Sequence, residues 1–318
     1  MHVLITGANG FVGQALAARL ERERALGGRA IDALTLIDIR FTTPATGLAR
    51  QLVGSIANAR FVSEALARPV DILFHLASIP GGMAEQNYAL ARDVNLVGTL
   101  SLLEATKAQT EEGGPVARFV FASSVAVYGA PLPERVDDQT ALNPQMTYGA
   151  QKLIGEILVA DFSRRHWIDG LSLRLPGVLA RPPARTGQAS AFLSDIIREL
   201  AGGHTFTAPM SPQATTWASS IHNIVENLLQ GATVDASALP PHRGVMLPTL
   251  RFTMAEMVDA IAAVHGEHVR DLVRWVPDPQ VEAWFGRFPP VTTESADAAG
   301  FRSDPDLRTL VQRAVEPL

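Results

Sequence analysis

The chain has 318 residues, 47% of them hydrophobic, which is enough for a large core and fits one big domain or two modest ones. Charged residues make up 19%, the net charge is −5 and no Lys/Arg-rich run occurs, so nucleic-acid or anionic-membrane binding has little support. Cysteine is absent, which excludes disulfides, thiolate nucleophiles and Cys-ligated metals; with no signal-like leader and no apolar run near the roughly 20 residues of a membrane span, a cytoplasmic protein is expected.

His2–Ile5 reads as a strand and runs directly into the loop Thr6-Gly7-Ala8-Asn9-Gly10-Phe11-Val12-Gly13, from which a helix extends over Val12–Arg24. In a strand–turn–helix setting the first glycine makes a tight turn. The second lets backbone approach a pyrophosphate, and the third lets helix and strand pack closely. The helix N-terminus supplies unpaired N–H groups and a positive dipole end for phosphates. A glycine triad alone is a weak signal; the setting makes Gly7, Asn9, Gly10, Phe11, Val12 and Gly13 a candidate dinucleotide cradle. Leu34–Ile37 is the next strand, closed by Asp38. Asp38 lies 25 residues after Gly13, more than the usual figure of about 20, because Ala25–Arg29 forms an inserted loop. A carboxylate there accepts hydrogen bonds from ribose hydroxyls and repels a 2′-phosphate, favouring NAD over NADP; Arg40, two residues on, acts the other way.

Asp71–His75 is a further strand, Glu85–Ala108 contains a long helix, and Arg118–Phe121 is a strand that leads into Ser123 and Ser124. A helix over Gly149–Arg165 and a strand over Leu171–Leu175 follow. Fully apolar strands alternating with helical patterns predict an α/β fold with a Rossmann-like, doubly wound parallel sheet. Tyr148 and Lys152, four apart, share a helix face. A free tyrosine has a pKa near 10. A neighbouring ammonium and an oxidised nicotinamide favour the phenolate, so Tyr148 can take a hydroxyl proton as general base. Ser124, at a strand end, can hold the substrate oxygen or act as a turn or helix cap. Tyr128 reads as packing, and Arg174 as a buried arginine paired with a carboxylate.

Beyond Pro176 the texture changes. Arg181-Pro182-Pro183-Ala184-Arg185-Thr186-Gly187 is loop-like, Ser190–Leu200 is helical, a Pro-rich stretch precedes Val245–Leu250, and Met254–Val264 is an amphipathic helix. The expected division is a dinucleotide-binding domain over 1–177, with 215–232 packing back on it. A smaller C-terminal α/β substrate lobe takes 178–214 and 233–318. His265 and His268 have metal-like spacing, but Gly266 and the helix end favour a polar surface, and no metal is expected.

The glycine loop, His75-Leu76-Ala77-Ser78, Val94-Asn95-Leu96-Val97-Gly98-Thr99, the Ser124 strand end and Tyr148/Lys152 resemble the extended short-chain dehydrogenase/reductases, the family of NAD-dependent epimerases and dehydratases. The resemblance covers residues 1 to about 180, judged by motif order. It implies that Ser124, Tyr148 and Lys152 are catalytic, that Lys152 also holds the nicotinamide ribose, and that Asn95 supports the proton relay. It places Leu76, Ala77, Ser78 and Ser123 along the cofactor and Pro176 to Val178 beside the nicotinamide. The family often has Gly-Asp after its third strand, the Asp reaching adenine. This chain has Gly54-Ser55, so Ser55 and Ile56 stand at that edge. The resemblance also implies a homodimer formed through the two long helices.

Leu173-Arg174-Leu175-Pro176, Gln188–Ser194 and Trp217-Ala218-Ser219 are similar to D-erythronate dehydrogenases, a branch that oxidises the C2 hydroxyl of a four-carbon sugar acid with NAD. Nucleotide-sugar enzymes commonly carry a basic residue just before the aromatic that matches Trp217. Here stand Thr215 and Thr216, a neutral pair ill suited to a diphosphate, which prefers Arg forks. The candidate substrate contacts are Ser78, Ser124, Tyr148, Arg181, Ser190 and Thr216, although Arg181 and Arg185 read equally as exposed loop charges. A nucleotide-sugar 4-epimerase with retained NAD is the first alternative, and a non-catalytic dinucleotide sensor is the second.

Overall fold

The computed structural model of the chain describes residues 1–183 and 190–316. Six strands of the central sheet come first, with a short hairpin, Ala25–Leu26 with Arg29–Ala30, between the first two: β1 His2–Thr6, β2 Ala33–Asp38, β3 Ala49–Val53, β4 Ile72–His75, β5 Arg118–Ser124 and β6 Asp169–Leu175. The short strands β7 Gly177–Leu179, β8 Thr215–Ser220, β9 Gly244–Met246 and β10 Leu250–Thr253 follow. A seven-stranded sheet runs in the order β9-β6-β5-β4-β1-β2-β3, every pair parallel. The direction of strand addition reverses between β1 and β4. In such sheets a ligand crevice opens at that point, outside the carboxyl ends of the strands.

Side-chain alternation splits the sheet into two buried faces. Val3, Ile5, Ile72, Phe74 and Val120 join one core with Leu16 and Leu20 of helix α1 (Phe11–Glu23). Leu4, Leu73, Phe119 and Phe121 join the other with Leu102 and Leu103 of α2 (Thr99–Glu111) and Val159 and Phe162 of α3 (Thr147–Arg164). Both faces being covered explains why the sequence of these strands is apolar throughout rather than alternating.

β8 leads into α4 (Ile221–Thr233), which returns to the first core through Ile221, Ile224 and Leu228. β7, β8 and β10 form a small mixed sheet beside a second core built from Leu193, Ile196, Ile197, Met254, Met257, Ile261 and Leu310. A capping box, Thr253 with Glu256, starts the helix Met254–His265.

The structure differs from the sequence reading at three elements. β3 carries Arg50 and Gln51 and lies at the sheet edge with side chains partly exposed, so its apolar signal is diluted. β9, assigned with the substrate lobe, is the opposite edge strand of the central sheet. The long helix expected within 85–108 is α2, which starts only at Thr99: Gly81–Gln86 and Tyr88–Ala91 are separate short turns, and Arg92–Gly98 is a π-helical segment leading into it. Among the described residues no helix is long and apolar enough to cross a membrane.

Candidate active site

Gly7 ends β1 at a φ of +71°, and a Cβ there would stand 2.6 Å from the Ala77 nitrogen. The first loop therefore lies backbone to backbone against Leu76 and Ala77 after β4. A Cβ on Gly13 would stand 2.1 Å from the Gly7 carbonyl oxygen, so only glycine lets α1 approach the turn. Gly10 is the N-cap of α1 and has no side chain to satisfy the first N–H groups, which leaves them for an anion. Asp38 accepts hydrogen bonds from the Asn9 nitrogen at 2.9 Å and the Ile39 nitrogen at 2.7 Å. Asn9 in turn accepts from Thr42 and Gln14 through its side chain. A cavity beside this carboxylate is lined by Gly7, Asp38, Ser55, Ile56, Ala77 and Val94, polar at the carboxylate and apolar beyond it. These residues fit a nicotinamide dinucleotide: a cradle that a Cβ would fill, an uncapped helix start, and a carboxylate at the second strand end. Phe11 and Val12 are half-buried in the first turn of α1. Arg40 is exposed just past this pocket.

At the ends of β4 and β5 the chemistry converges. Tyr148, in the first turn of α3, is half-buried. Burial pushes its phenol above the ordinary tyrosine range, while hydrogen bonds with the Ser78 and Ser124 hydroxyls and the charge of Arg181 pull it back. The Ser124 hydroxyl also accepts from the Ala126 nitrogen at 3.2 Å, capping the short turn Val125–Val127. It is thus both a cap and a partner of Tyr148. Lys152 is buried; its Nζ donates to the Ala122 carbonyl at 2.7 Å and stands 4.7 Å from the centre of the Phe121 ring and 5.6 Å from that of Tyr148. Burial lowers its pKa to about 7, partly offset by the Glu156 carboxylate. The sequence reading gave the tuning of Tyr148 to Lys152. In the structure Lys152 stands on the same helix face as Tyr148, and the charge of Arg181, which reads from the sequence equally as an exposed loop charge, also acts on the phenol.

Asn95 lies in the π-helical segment and is buried. Its Oδ1 accepts from the Ile79 nitrogen at 2.7 Å, and its Nδ2 donates to the Ile79 carbonyl at 3.0 Å and to Gln151 Oε1 at 2.7 Å. It thereby ties the loop that carries Ser78 to the helix that carries Tyr148 and Lys152. The Asn95 carbonyl accepts from Thr99 Oγ1 at 2.7 Å. Thr99 Oγ1 meets His75 Nε2 at 2.8 Å, and His75 Nδ1 meets Thr6 Oγ1 at 2.8 Å. With the Thr99 proton on Asn95, His75 donates from Nε2 and accepts at Nδ1. Burial and the charge of Lys152 lower its pKa to about 3, so it is neutral. Thr99 closes the motif that begins at Val94 and Gln151 lies between Tyr148 and Lys152, yet the sequence assigns neither a role, because only the fold brings them beside Asn95.

Glu156, another residue that reading missed, is the carboxylate expected for Arg174. Arg174 donates from Nε to Oε1 at 3.0 Å and from Nη2 to Oε2 at 2.8 Å, and its Nη1 donates to the Tyr128 hydroxyl at 3.1 Å. The Ser123 hydroxyl donates to the same carboxylate at 2.5 Å, so its side chain turns into the core while its backbone stays at the strand end. The helical spacing from Lys152 was the available signal for Glu156.

Pro176 and Val178 are buried where β6 passes into β7. Ser190 is half-buried just before the helix Phe192–Ala201. The Thr215 hydroxyl donates to the Phe288 carbonyl, and Thr216 is buried on the opposite face of β8, the face of Ala218 in the second core. Arg185 lies outside the described residues.

The strand order, the glycine cradle and the Ser/Tyr/Lys group at the switch point define a nicotinamide-dinucleotide enzyme of the extended short-chain dehydrogenase/reductase type. Residues 3–218 match the NAD dependent epimerase/dehydratase family, and the chain belongs to it. It is 38% identical to a D-erythronate dehydrogenase of Cupriavidus necator over 99% of this chain and 98% of the relative. It is 32% identical to one of Haemophilus influenzae over 99% of each. A solved structure from Agrobacterium tumefaciens, described as a nucleoside-diphosphate-sugar epimerase, superposes with a TM-score of 0.92 at 32% identity, covering 98% of this chain and 92% of that one.

Proposed function

We propose that the protein oxidises the C2 hydroxyl of a small sugar acid such as D-erythronate, with NAD as the acceptor. The observation that carries this reading is the full-length similarity to two D-erythronate dehydrogenases; at the site, Ser78 and Ser124 hydrogen-bond the Tyr148 phenol and the charge of Arg181 reaches it. A guanidinium beside the proton acceptor suits a substrate whose carboxylate adjoins the hydroxyl being oxidised, and its planar fork matches a carboxylate bidentately. The neutral Thr215/Thr216 pair supports it further, because its placement offers a diphosphate no cation.

In this reading a bound nicotinamide dinucleotide supplies the hydride acceptor. Ser124 holds the substrate hydroxyl against Tyr148, and Tyr148 takes its proton. Lys152 holds the nicotinamide ribose and lends positive charge to the proton path. Asn95 keeps the Ser78 loop and α3 in register. Arg181 anchors the carboxylate, with Ser190 as a further contact from the lobe; Thr216, expected from the sequence as another, is buried on β8 and is left out of the contact set. Asp38 favours NAD over NADP, because its carboxylate is held in place by two backbone N–H groups and would repel a 2′-phosphate. We assign the dinucleotide to the domain over 1–177 and the acid to the cleft between it and the lobe. The working assembly is a cytoplasmic homodimer, supported by the exposed apolar side chains Val97, Leu100, Ile154 and Ile157 on neighbouring helices.

The test is NADH formation with a panel of sugar acids and, separately, interconversion of UDP-sugars. Turnover of D-erythronate or a neighbouring acid is expected. Silence with every acid, alongside UDP-sugar interconversion without net NADH, would replace this reading with the epimerase. Dinucleotide binding without any turnover would favour the sensor.

A further inference from the structure

The chain has two lysines, Lys107 and Lys152, and every other basic side chain of its Lys and Arg complement is arginine. Lys107 is at the surface, paired with Glu111. Lys152 is buried. Its surroundings are unusually poor in anions. From β5 it meets the Ala122 carbonyl and the Phe121 ring, from its own helix the Tyr148 ring, and from β4 the electrostatic reach of His75, which is neutral. The next strand, β6, brings another cation, Arg174. Among the described residues, the carboxylate acting on Lys152 is that of Glu156, one helical turn further along α3.

Glu156 is itself fixed from three sides. Arg174 grips both carboxylate oxygens, Ser123 donates to one of them, and the helix sets the backbone. We infer that Glu156 is a positioning residue of the site, acting through Lys152: clamped by Arg174 and Ser123, its carboxylate keeps the buried Lys152 ammonium charged. The inference rests on the catalytic role proposed above for Lys152. A buried ammonium loses its hydration and is retained as a cation only where an anion offsets that loss. Lys152 sits close to this balance, as its pKa of about 7 shows. The Arg174–Glu156 pair is then more than a brace between strand and helix: the arginine holds in place the charge that the lysine needs.

Because there are two lysines, ε-13C-lysine labelling yields two resolvable titrations, one for each. In the full-length protein, the Glu156→Gln variant is expected to lower the Lys152 midpoint by about one pH unit or more, leaving Lys107 where it was. The descending alkaline limb of the rate profile should move down with it. Removing one partner of a buried pair can prevent folding. The double variant Glu156→Gln/Arg174→Met removes both charges and gives a second reading; its Lys152 midpoint is also expected below that of the parent, because Glu156 neighbours Lys152 on one face of α3 while Arg174 reaches Glu156 from β6. A Lys152 midpoint equal to the parent's in whichever variant folds would overturn the inference. Since the titration is read without turnover, it stands apart from the catalytic assignment. That assignment would fail separately if Lys152→Met kept near-normal turnover.

Discussion

Tyr148 is the residue on which the proposed chemistry turns, and its neighbours set opposing demands. Burial raises its pKa, while Ser78, Ser124 and Arg181 lower it. Tyr148→Phe removes the proton acceptor but no cofactor contact other than the hydroxyl, so kcat is expected to fall about 10²–10⁴-fold with the Kd for NAD unchanged. Arg181→Met removes a charge-assisted anchor, and the KM for the acid is expected to rise about 10- to 100-fold. It also removes a charge that favours the phenolate, so the ascending limb of the pH–rate profile should move to higher pH. A limb that stays in place would show that Arg181 does not act on Tyr148. His75 carries a different pH dependence. Its folded pKa of about 3 lies below the unfolded value of 6.5, so the unfolded chain takes up the proton first. Its contribution is intact above pH 6.5 and is lost as pH falls towards 3, at up to about 1.4 kcal/mol per pH unit. Thermal melts from pH 7 to 4 should show a steeper fall in Tm for the parent than for His75→Asn.

At the scale of elements, the β1–α1 turn is specified almost entirely by local sequence. Gly7, Gly10 and Gly13 are required by close backbone approach, and the spacing that reveals them is the spacing that makes the turn. Gly13→Ala would drive a Cβ into the Gly7 carbonyl. It is expected to cost about 1–3 kcal/mol in stability and to weaken NAD binding at least about tenfold, measured by thermal melting and titration calorimetry. The helix after β4 was legible only in part. The sequence places a long helix within 85–108, and α2 supplies it from Thr99 on, but no sequence pattern marks the run Arg92–Gly98 before it as π-helical. Such a segment gives up regular backbone bonds and persists where tertiary partners hold it, as Ile79, Gln151 and His75 do here through Asn95 and Thr99. None of those partners is near in sequence.

For the whole molecule, the cores of the central sheet and the core around Met254 and Leu310 come from chain segments that alternate between them. β7 and β8 pair with each other, then α4 returns to the central sheet and β9 joins its edge. The uncovered apolar side chains of the two adjoining helices argue for a second copy of the chain on that face. Ile157, 61% exposed in mid-helix, is the most informative of them. Ile157→Asp is expected to convert a dimer to a monomer by light scattering, with the affinity for NAD retained. A monomeric parent would remove the homodimer from the reading.

By itself the sequence determined the fold class and marked the glycine cradle, Asp38, Ser124 and the Tyr148/Lys152 pair as candidates, because each of these is carried by a short-range pattern within a strand, turn or helix. Tertiary structure decided what those groups face. It turned Ser123 towards Glu156, set Arg181 beside Tyr148 rather than in open solvent, and gave Asn95 its grip on Ile79 and Gln151. Burial and long-range charge govern those outcomes, and both are properties of side chains brought together from distant parts of the chain, which no local pattern encodes.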